Sequence, residues 1–204
     1  PESHGVFWVN MPDMASSVNN LQIQRGVGTS TNGAAAFGAS INIQTNQYQT
    51  LPYAEINTSY GSFNTFKNTL RFGSGLIDGR WSVDGRASMI SSDGYIDRAT
   101  TDLKSFFLSG AYNGEKSIYR FNIFSGKEKT YQAWAGVPKD SLKTNRTYNP
   151  YTYENETDNY QQDHYQFLYA REINKKWKLN AALFYVRGRG YYEQYKENES
   201  FGNY

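Results

Sequence analysis

The chain has 204 residues, a net charge of +2 at pH 7 and no cysteine. This length suits one or two domains, and the charge balance points to neither a nucleic-acid partner nor an acidic one. The absence of cysteine excludes a disulfide framework, a thiolate metal site and a cysteine nucleophile. The chain is polar, with a mean hydropathy of −0.74, yet it contains 18 Tyr and 12 Phe. This composition indicates aromatic stripes rather than one pooled core, and no run reaches the roughly 20 apolar residues of a membrane helix.

The first distinctive stretch, Leu21 to Thr45, predicts a strand, a loop rich in glycine and alanine, and a second strand. Neither phosphate-binding loop fits it. Gly33 is followed by Ala34 where a Walker loop needs lysine, and Thr31 stands where a dinucleotide loop needs its third glycine. We therefore expect these small residues to be structural. The chain starts without an initiator Met or a signal peptide, which suggests a fragment or a processed product.

From about Leu51 onward, apolar residues recur at every second position. The clearest stretch is "RWSVDGRASM", residues 80–89. One face carries Trp81, Val83, Gly85, Ala87 and Met89, and the other carries Arg80, Ser82, Asp84, Arg86 and Ser88. Such alternation predicts a β-strand with one apolar and one wet face.

Six weaker alternations follow the same rule and bring the number of predicted strands to seven. They cover residues 54–60, 66–72, 105–112, 119–123, 164–169 and 177–185. No segment has the 3.6-residue periodicity that predicts a helix. The sequence therefore predicts an all-β fold.

The connections between these strands predict a barrel. Short turns are expected at one end of the sheet, at residues 73–79, 113–116 and 173–176. The other end takes a short turn near Gly61 and then long connections at residues 91–101, at 126 to about 162, and at 187–204. Short turns at one end and long loops at the other are typical of outer-membrane barrels. Four aromatic residues beside the short turns would form the interfacial girdle of such a barrel: Trp81, Tyr112, Tyr119 and Trp177.

A soluble β-sandwich is the alternative, because its inner faces also alternate. Paired charges on the polar faces, such as Asp84 with Arg86, favour a water-filled lumen instead. Glycine and alanine within the apolar stripes also suit lipid better than a close-packed core.

The stretch "RGVGTSTNGAAAFGASINIQT", Arg25 to Thr45, resembles the end of the plug domain of TonB-dependent outer-membrane receptors. The family pattern runs roughly R-G-P-x-S-x-x-Y-G-x-x-A-x-G-G-x-I-N-I-x-T and aligns without a gap. The matching positions are Arg25, Gly26, Gly33, Ala36, Gly38, Ile41, Asn42, Ile43 and Thr45. Four positions depart from it: Val27, Thr29, Asn32 and Ala39.

The resemblance implies a plug segment over residues 1–49 and the N-terminal strands of a large transmembrane barrel over residues 50–204. Such a receptor takes up a scarce nutrient, such as an iron chelate, cobalamin or a glycan, across the outer membrane of a Gram-negative cell. Its partners are outer-membrane lipid, a TonB energising complex and a small-molecule or oligosaccharide ligand. It needs no cofactor. The small residues of the plug would let its backbone pack closely against itself and the wall.

Candidate ligand contacts are Tyr131 and Trp134, expected to be exposed in the longest outer loop, although packing of that loop against its neighbours is the simpler explanation. Glu154, Glu156 and Asp158 alternate as calcium ligands would, but a solvated acidic loop is the simpler interpretation. His4 and His164 belong to no metal or catalytic motif, and no catalytic constellation is present. We therefore expect a non-enzyme without a metal site. Two other functional classes remain open: a secreted carbohydrate-binding β-sandwich, and a passive porin-like channel, against which the plug-like stretch argues.

Overall fold

The computed structural model describes residues 8–27, 38–45, 49–200 and 202. Its regular structure is β-sheet with three short 3₁₀ turns, at Trp8–Asn10, Met14–Ser17 and Ser141–Lys143. The first two strands are β1 (Asn20–Arg25) and β2 (Ala39–Gln44). The other seven are β3 (Tyr53–Gly61), β4 (Thr65–Gly73), β5 (Trp81–Ser92), β6 (Thr101–Asn113), β7 (Ser117–Tyr131), β8 (Thr157–Glu172) and β9 (Lys178–Tyr192). Among these described residues, no helix is long and apolar enough to cross a membrane.

The strands form two separate sheets. Strands β1 and β2 pair antiparallel as an isolated hairpin, which confirms the strand–loop–strand prediction for its described part. Strands β3 to β9 form one antiparallel sheet in which every strand pairs with its neighbours in the sequence. All seven predicted strands are present, so the all-β prediction is confirmed.

The longest connection is shorter than we expected, and the last strand is longer, because β7, β8 and β9 extend beyond their apolar alternation. The expected connection from residue 126 to about 162 is in fact residues 132–156, and β9 continues to Tyr192 rather than ending near residue 187. The added residues include Lys127 and Glu128, which are polar on both faces of β7. Backbone pairing therefore continues where the hydrophobic signal stops.

The two ends of the large sheet differ as predicted. The turn end carries the connections at residues 74–80, 114–116 and 173–177. The loop end carries the short turn at residues 62–64 and the longer connections at residues 93–100 and 132–156. Along the turn end the rings of Trp81, Tyr112 and Tyr119 form a row, with centroid separations of 4.6 and 6.2 Å. Tyr169 extends this row at 4.9 Å from Tyr119.

On the inner strands β5 to β7 of the large sheet, the apolar face is exposed and much of the polar face is buried, whereas β3 and β9 at its edges are exposed on both faces. Leu108 and Phe121 on the outward face are 40% and 46% exposed, whereas Ser109 and Asn122 on the inward face are 1% and 2% exposed. The strand register aligns the outward residues into rows across the sheet. One such row runs Val83, Gly110, Phe121, Phe167 and Leu183. The sheet thus has the burial pattern expected for a wall between lipid and a polar interior.

Candidate functional site

The connections at the loop end are tied into one hydrogen-bonded cluster. The side chain of Gln132, which is fully buried, donates to the carbonyl oxygen of Glu193 at 2.8 Å. The side chain of Asn149 donates to the carbonyl oxygens of Asp97 and Gln132, both at 2.9 Å. Arg98 fixes the same loop, since its Nη2 donates to the carbonyl oxygen of Asn149 at 2.7 Å. These bonds join the β5–β6 connection, the β7–β8 connection and the segment after β9 into one preformed platform.

Glu156 is a structural carboxylate at the base of this platform. It is 5% exposed and accepts hydrogen bonds from the backbone N–H groups of Tyr153 (3.0 Å) and Tyr195 (3.3 Å). We expected the carboxylates of residues 154–158 to be solvated, and for Glu156 this is wrong, because two backbone donors stabilise its charge inside the platform. In the part of the chain that the structure describes, no group of three or more metal-ligating side chains is assembled.

Tyr131 is also part of the platform. We expected it to be exposed in a loop, but it ends β7, is 8% exposed and donates its hydroxyl to the carbonyl oxygen of Tyr153 at 2.7 Å. Its position explains the burial: the β7–β8 connection folds back over the end of β7. Tyr131 therefore supports the loop from below.

Trp134 is exposed, as predicted, and it does not stand alone. Its ring packs edge-on against Tyr192 with centroids 5.6 Å apart, and 54% of the residue remains accessible. Tyr192 lies on the inward face of β9, so the pair sits over the polar side of the sheet. A second pair, Tyr153 with Tyr195, has centroids 5.6 Å apart.

An open cleft of about 800 Å³ lies beside these rings. It is lined by Tyr153, Tyr192, Glu193, Gln194, Tyr195, Lys196 and Glu199. Aromatic faces with both an ammonium and carboxylates at the rim can stack a ring and pair with a charge. The sequence indicated Trp134 but missed Tyr153 and Tyr195, the second aromatic pair at this end of the sheet. For Tyr195 the available signal was the aromatic tract "RGRGYYEQY", residues 187–195.

A buried carboxylate lies on the inward wall beneath the platform. Glu128 is 1% exposed, and neither of its carboxylate oxygens has a hydrogen-bond partner among the described residues. It stands beyond the outward apolar band, since its strand neighbours Lys127 and Lys129 are exposed cations. Burial, together with the nearby charge of Asp158, raises the pKa of Glu128 to about 7.

The N-terminal segment, of which the structure describes residues 8–27 and 38–45, contacts the inward wall through Asp13. Lys67 on β4 donates to Asp13 Oδ1 at 2.6 Å, Arg86 on β5 lies 3.4 Å from Asp13 Oδ2, and Ser88 donates to the same oxygen. Ser16, three residues on, donates to Oδ1 at 2.7 Å. Burial alone would raise the pKa of Asp13, but the hydrogen bonds from Lys67, Ser88 and Ser16 outweigh it and hold that pKa below its usual range.

The plug-like stretch pairs as expected where it is described. Ile41, Asn42 and Ile43 on β2 oppose Ile23, Gln22 and Leu21 on β1, and Arg25 opposes Ala39. Gly26 has φ +84°, which suits glycine, and its N–H donates to the carbonyl oxygen of Gly38 at 2.9 Å. A Cβ at Gly26 or Gly38 would meet nothing within 4 Å among the described residues, so close packing does not explain glycine at these two positions. Gly33 lies outside the described residues.

A cavity of about 160 Å³ separates the N-terminal segment from the wall. Its apolar lining includes Met11, Met14 and Ile43 on one side and the stacked rings of Phe124 and His164, 4.3 Å apart, on the other. His164 therefore has a packing role, and among the described residues it belongs to no group of three or more side chains that could hold a metal ion.

Comparison with solved structures gives the fold. The chain is similar to the ferric-catecholate import receptor Fiu from E. coli K12 in its open form, with a TM-score of 0.71 and 15% identity over 85% of this chain. It is similar to the alcaligin outer-membrane receptor FauA from Bordetella pertussis, with a TM-score of 0.69 and 17% identity over 89% of this chain. The closed form of Fiu gives a TM-score of 0.67 and 17% identity over 83% of the chain.

The chain spans less than a third of these receptors: 29% of Fiu in its open form, 28% of FauA and 26% of Fiu in its closed form. No protein-family model matches the chain, and no curated protein sequence matches it. The structural similarity agrees with the strand order, the exposed apolar face and the long connections at one end. The chain has the fold of part of a TonB-dependent outer-membrane receptor, and its large sheet matches the barrel region of that family.

Proposed function

We propose that the chain is a segment of a TonB-dependent receptor in the outer membrane of a Gram-negative cell. Residues 1–49 form the end of its plug domain, and residues 50–204 form the first seven strands of its barrel. The intact receptor binds a scarce nutrient at its outer loops, and an energising complex rearranges the plug to let that nutrient pass. The chain has no catalytic role in this account.

One observation carries the proposal: the N-terminal segment is anchored to the polar face of a sheet whose other face is apolar and exposed. Asp13 reaches Lys67 and Arg86 on that polar face. A β-sandwich buries its apolar face against a second sheet, so the burial of Arg86 (6% exposed) on the polar face and the exposure of Phe121 (46%) on the apolar face argue against it. A passive porin-like channel has no N-terminal plug inside its barrel, so the Asp13 contact argues against that class as well.

The loop-end cleft is the proposed outer part of the ligand site. Its Tyr153 and Tyr195 rings offer stacking surfaces, and Trp134 with Tyr192 extends them toward the inward face. A ferric chelate is the first ligand to test, because Fiu is a ferric-catecholate import receptor. Cobalamin and glycans are tested in the same uptake assay.

The experiment has two parts. Immunoblots of fractionated cells with an antibody against this chain should give an outer-membrane band several times heavier than 23.3 kDa. That band should shift on boiling, as closed barrels do. Uptake of labelled ferric chelates, cobalamin and oligosaccharides is then compared between wild-type and deletion strains, with and without a proton-motive uncoupler. A 23 kDa soluble band contradicts the proposal, as does uptake of every ligand that the uncoupler leaves unchanged.

A further inference from the structure

The outward face of the large sheet changes character toward the loop end. On β6 the outward apolar residues end at Phe106, and two residues further along the strand the outward position is Lys104. The register places Lys127 opposite Lys104, Gln161 opposite Lys127, and Arg189 opposite Gln161. One row across four strands therefore carries three cations, which we call the cationic row: Lys104, Lys127 and Arg189.

The neighbouring rows make the surface more positive still. Lys129 lies two residues above Lys127 on β7, and Arg187 lies two residues below Arg189 on β9. The carboxylates on this face are those of Asp102, 3.1 Å from Lys104 Nζ, and Asp163, 3.6 Å from Arg189 Nη2. Two carboxylates therefore face five cations.

The pairing of Lys104 with Lys127 is unfavourable by itself. Like charges directly opposite each other on neighbouring strands destabilise a sheet, because their Cβ atoms lie only about 5 Å apart. Lys127 and Lys129 make no ion pair with any described residue. Water screens such a pair, but the position next to an apolar band lowers the local dielectric and weakens that screening. An anion bound between these side chains would turn the repulsion into attraction.

We propose that the cationic row binds the phosphate groups of a phosphorylated glycolipid in the outer leaflet. This inference rests on the proposed function, because it takes the loop end to face the cell exterior. Lysine and arginine are the side chains that bind phosphate through charge-assisted hydrogen bonds. Lys127 and Arg189 are two strands apart, or about 10 Å, so the row is wide enough for more than one phosphate.

The position of the row selects a lipid over a soluble phosphate. A soluble ligand would need only the charges, whereas a lipid also needs an apolar surface below them for its acyl chains. On β6, Phe106 lies one outward position below Lys104, about 7 Å along the strand. On the next three strands the positions level with Phe106 are polar: Ser125, Asp163 and Arg187. The first row that is apolar or aromatic on all four strands is the next one below: Leu108, Ile123, Tyr165 and Tyr185. The two upper levels thus suit a lipid headgroup, and the row beneath them suits its acyl chains.

The test measures lipid retained by the intact protein after purification in mild detergent. The variant Lys104→Gln/Lys127→Gln/Arg189→Gln is compared with the wild type by native mass spectrometry and by phosphate analysis of extracted lipid. We expect it to retain less glycolipid by on the order of tenfold or more, since each basic residue near a membrane surface contributes to binding anionic lipid. The single variant Lys127→Gln should show an intermediate loss. A control variant removes the same charges from the exposed β7–β8 connection: Lys139→Gln, Lys143→Gln and Arg146→Gln.

Purified wild-type protein is also returned to micelles that contain the outer-leaflet glycolipid or the same glycolipid after enzymatic dephosphorylation. Retention of the phosphorylated form alone supports the inference. Equal retention of both forms overturns it, as does retention within twofold of wild type in the triple variant or an equal loss in the control. Each variant is first checked for the heat-shifted outer-membrane band. A variant that is inserted and still imports nutrient but retains normal lipid refutes the lipid site alone, whereas absence of the wild-type protein from the outer membrane refutes the proposed function.

Discussion

Lys67 on β4 donates a 2.6 Å hydrogen bond to Asp13, and this contact joins the N-terminal segment to a wall residue 54 positions away. Asp13 is also close to Arg86, and both side chains are almost fully buried. Asp13→Ala should therefore destabilise the docked N-terminal segment by about 3 kcal/mol, because it leaves a buried guanidinium without its counter-charge. Limited proteolysis of the intact protein in detergent should then cut the N-terminal segment faster than in the wild type.

The matched control for that prediction is Asp140→Ala. Asp140 is exposed in the β7–β8 connection and has the same charge. Cleavage of the N-terminal segment at the wild-type rate in Asp13→Ala, or equal acceleration in both variants, would show that the Asp13 contact does not hold the segment.

Glu128 should make the stability of the protein fall as pH rises. Its pKa is about 7 in the folded chain against about 4.5 for an ordinary glutamate, so the unfolded state releases the proton first. The free energy of unfolding therefore decreases from about pH 4.5 to about pH 7, by up to about 3 kcal/mol, and then levels off. Glu128→Gln should raise the thermal midpoint in detergent at pH 8 and change it little at pH 4.5. An equal effect at both pH values would contradict the buried, unpartnered carboxylate.

Two glycines in the sheet should respond in opposite ways to alanine. A Cβ at Gly190 on β9 would lie 2.5 Å from the carbonyl oxygen of Asn159 and 2.6 Å from the ring of Tyr160, so Gly190→Ala should destabilise the sheet. A Cβ at Gly110 on β6 would meet nothing within 4 Å. Gly110→Ala should stabilise the protein by about 0.5 kcal/mol, because glycine loses more conformational entropy in a strand. Thermal unfolding of both variants checks the difference, and a loss of stability in Gly110→Ala would count against the open outward surface.

Ala87 on the outward face should accept a larger apolar side chain but not a charge. Ala87→Leu should leave heat-resistant insertion unchanged, because lipid adapts to the added methyl groups. Ala87→Lys should reduce insertion, at a cost below the roughly 2–4 kcal/mol of a midplane position, because Ala87 pairs with Phe106 near the loop-end edge of the apolar band. A packed sandwich core would reject both changes, so a loss of folding in Ala87→Leu would favour that class.

The strands were predictable because a sheet with one apolar and one polar face imposes alternation on every residue. In the stretch around Val83 and Asp84, apolar and polar side chains alternate between the two faces of the strand, and the predicted strand is present. The signal weakened where β7 and β8 leave the apolar band, since polar residues such as Lys127 then occupy the outward face. Backbone pairing continues there without any sign in the sequence.

The candidate site was less predictable, because its contacts depend on how three connections fold together. Tyr131 and Trp134 are three residues apart in one aromatic tract, yet one is buried and the other is exposed. The difference arises from Tyr153 and Glu156, which return to cover the end of β7. The local sequence around Tyr131 and Trp134 gives no sign of this fold-back. The contacts of Asp13 could not be predicted either, because its partners Lys67 and Arg86 are distant in the sequence.

The central claim is that the apolar face of the large sheet faces lipid and the polar face does not. Leu108 and Ser109 test it directly, because these adjacent residues on β6 are 40% and 1% exposed. The chain has no cysteine, so a single cysteine at either position can carry a nitroxide label in the intact protein, reconstituted in lipid vesicles. The account predicts that the label at Leu108 collides readily with oxygen and rarely with a polar nickel chelate. The label at Ser109 should be little accessible to oxygen. Preferential collision of the label at Leu108 with the nickel chelate, or its inaccessibility to both reagents, would contradict a lipid-facing wall.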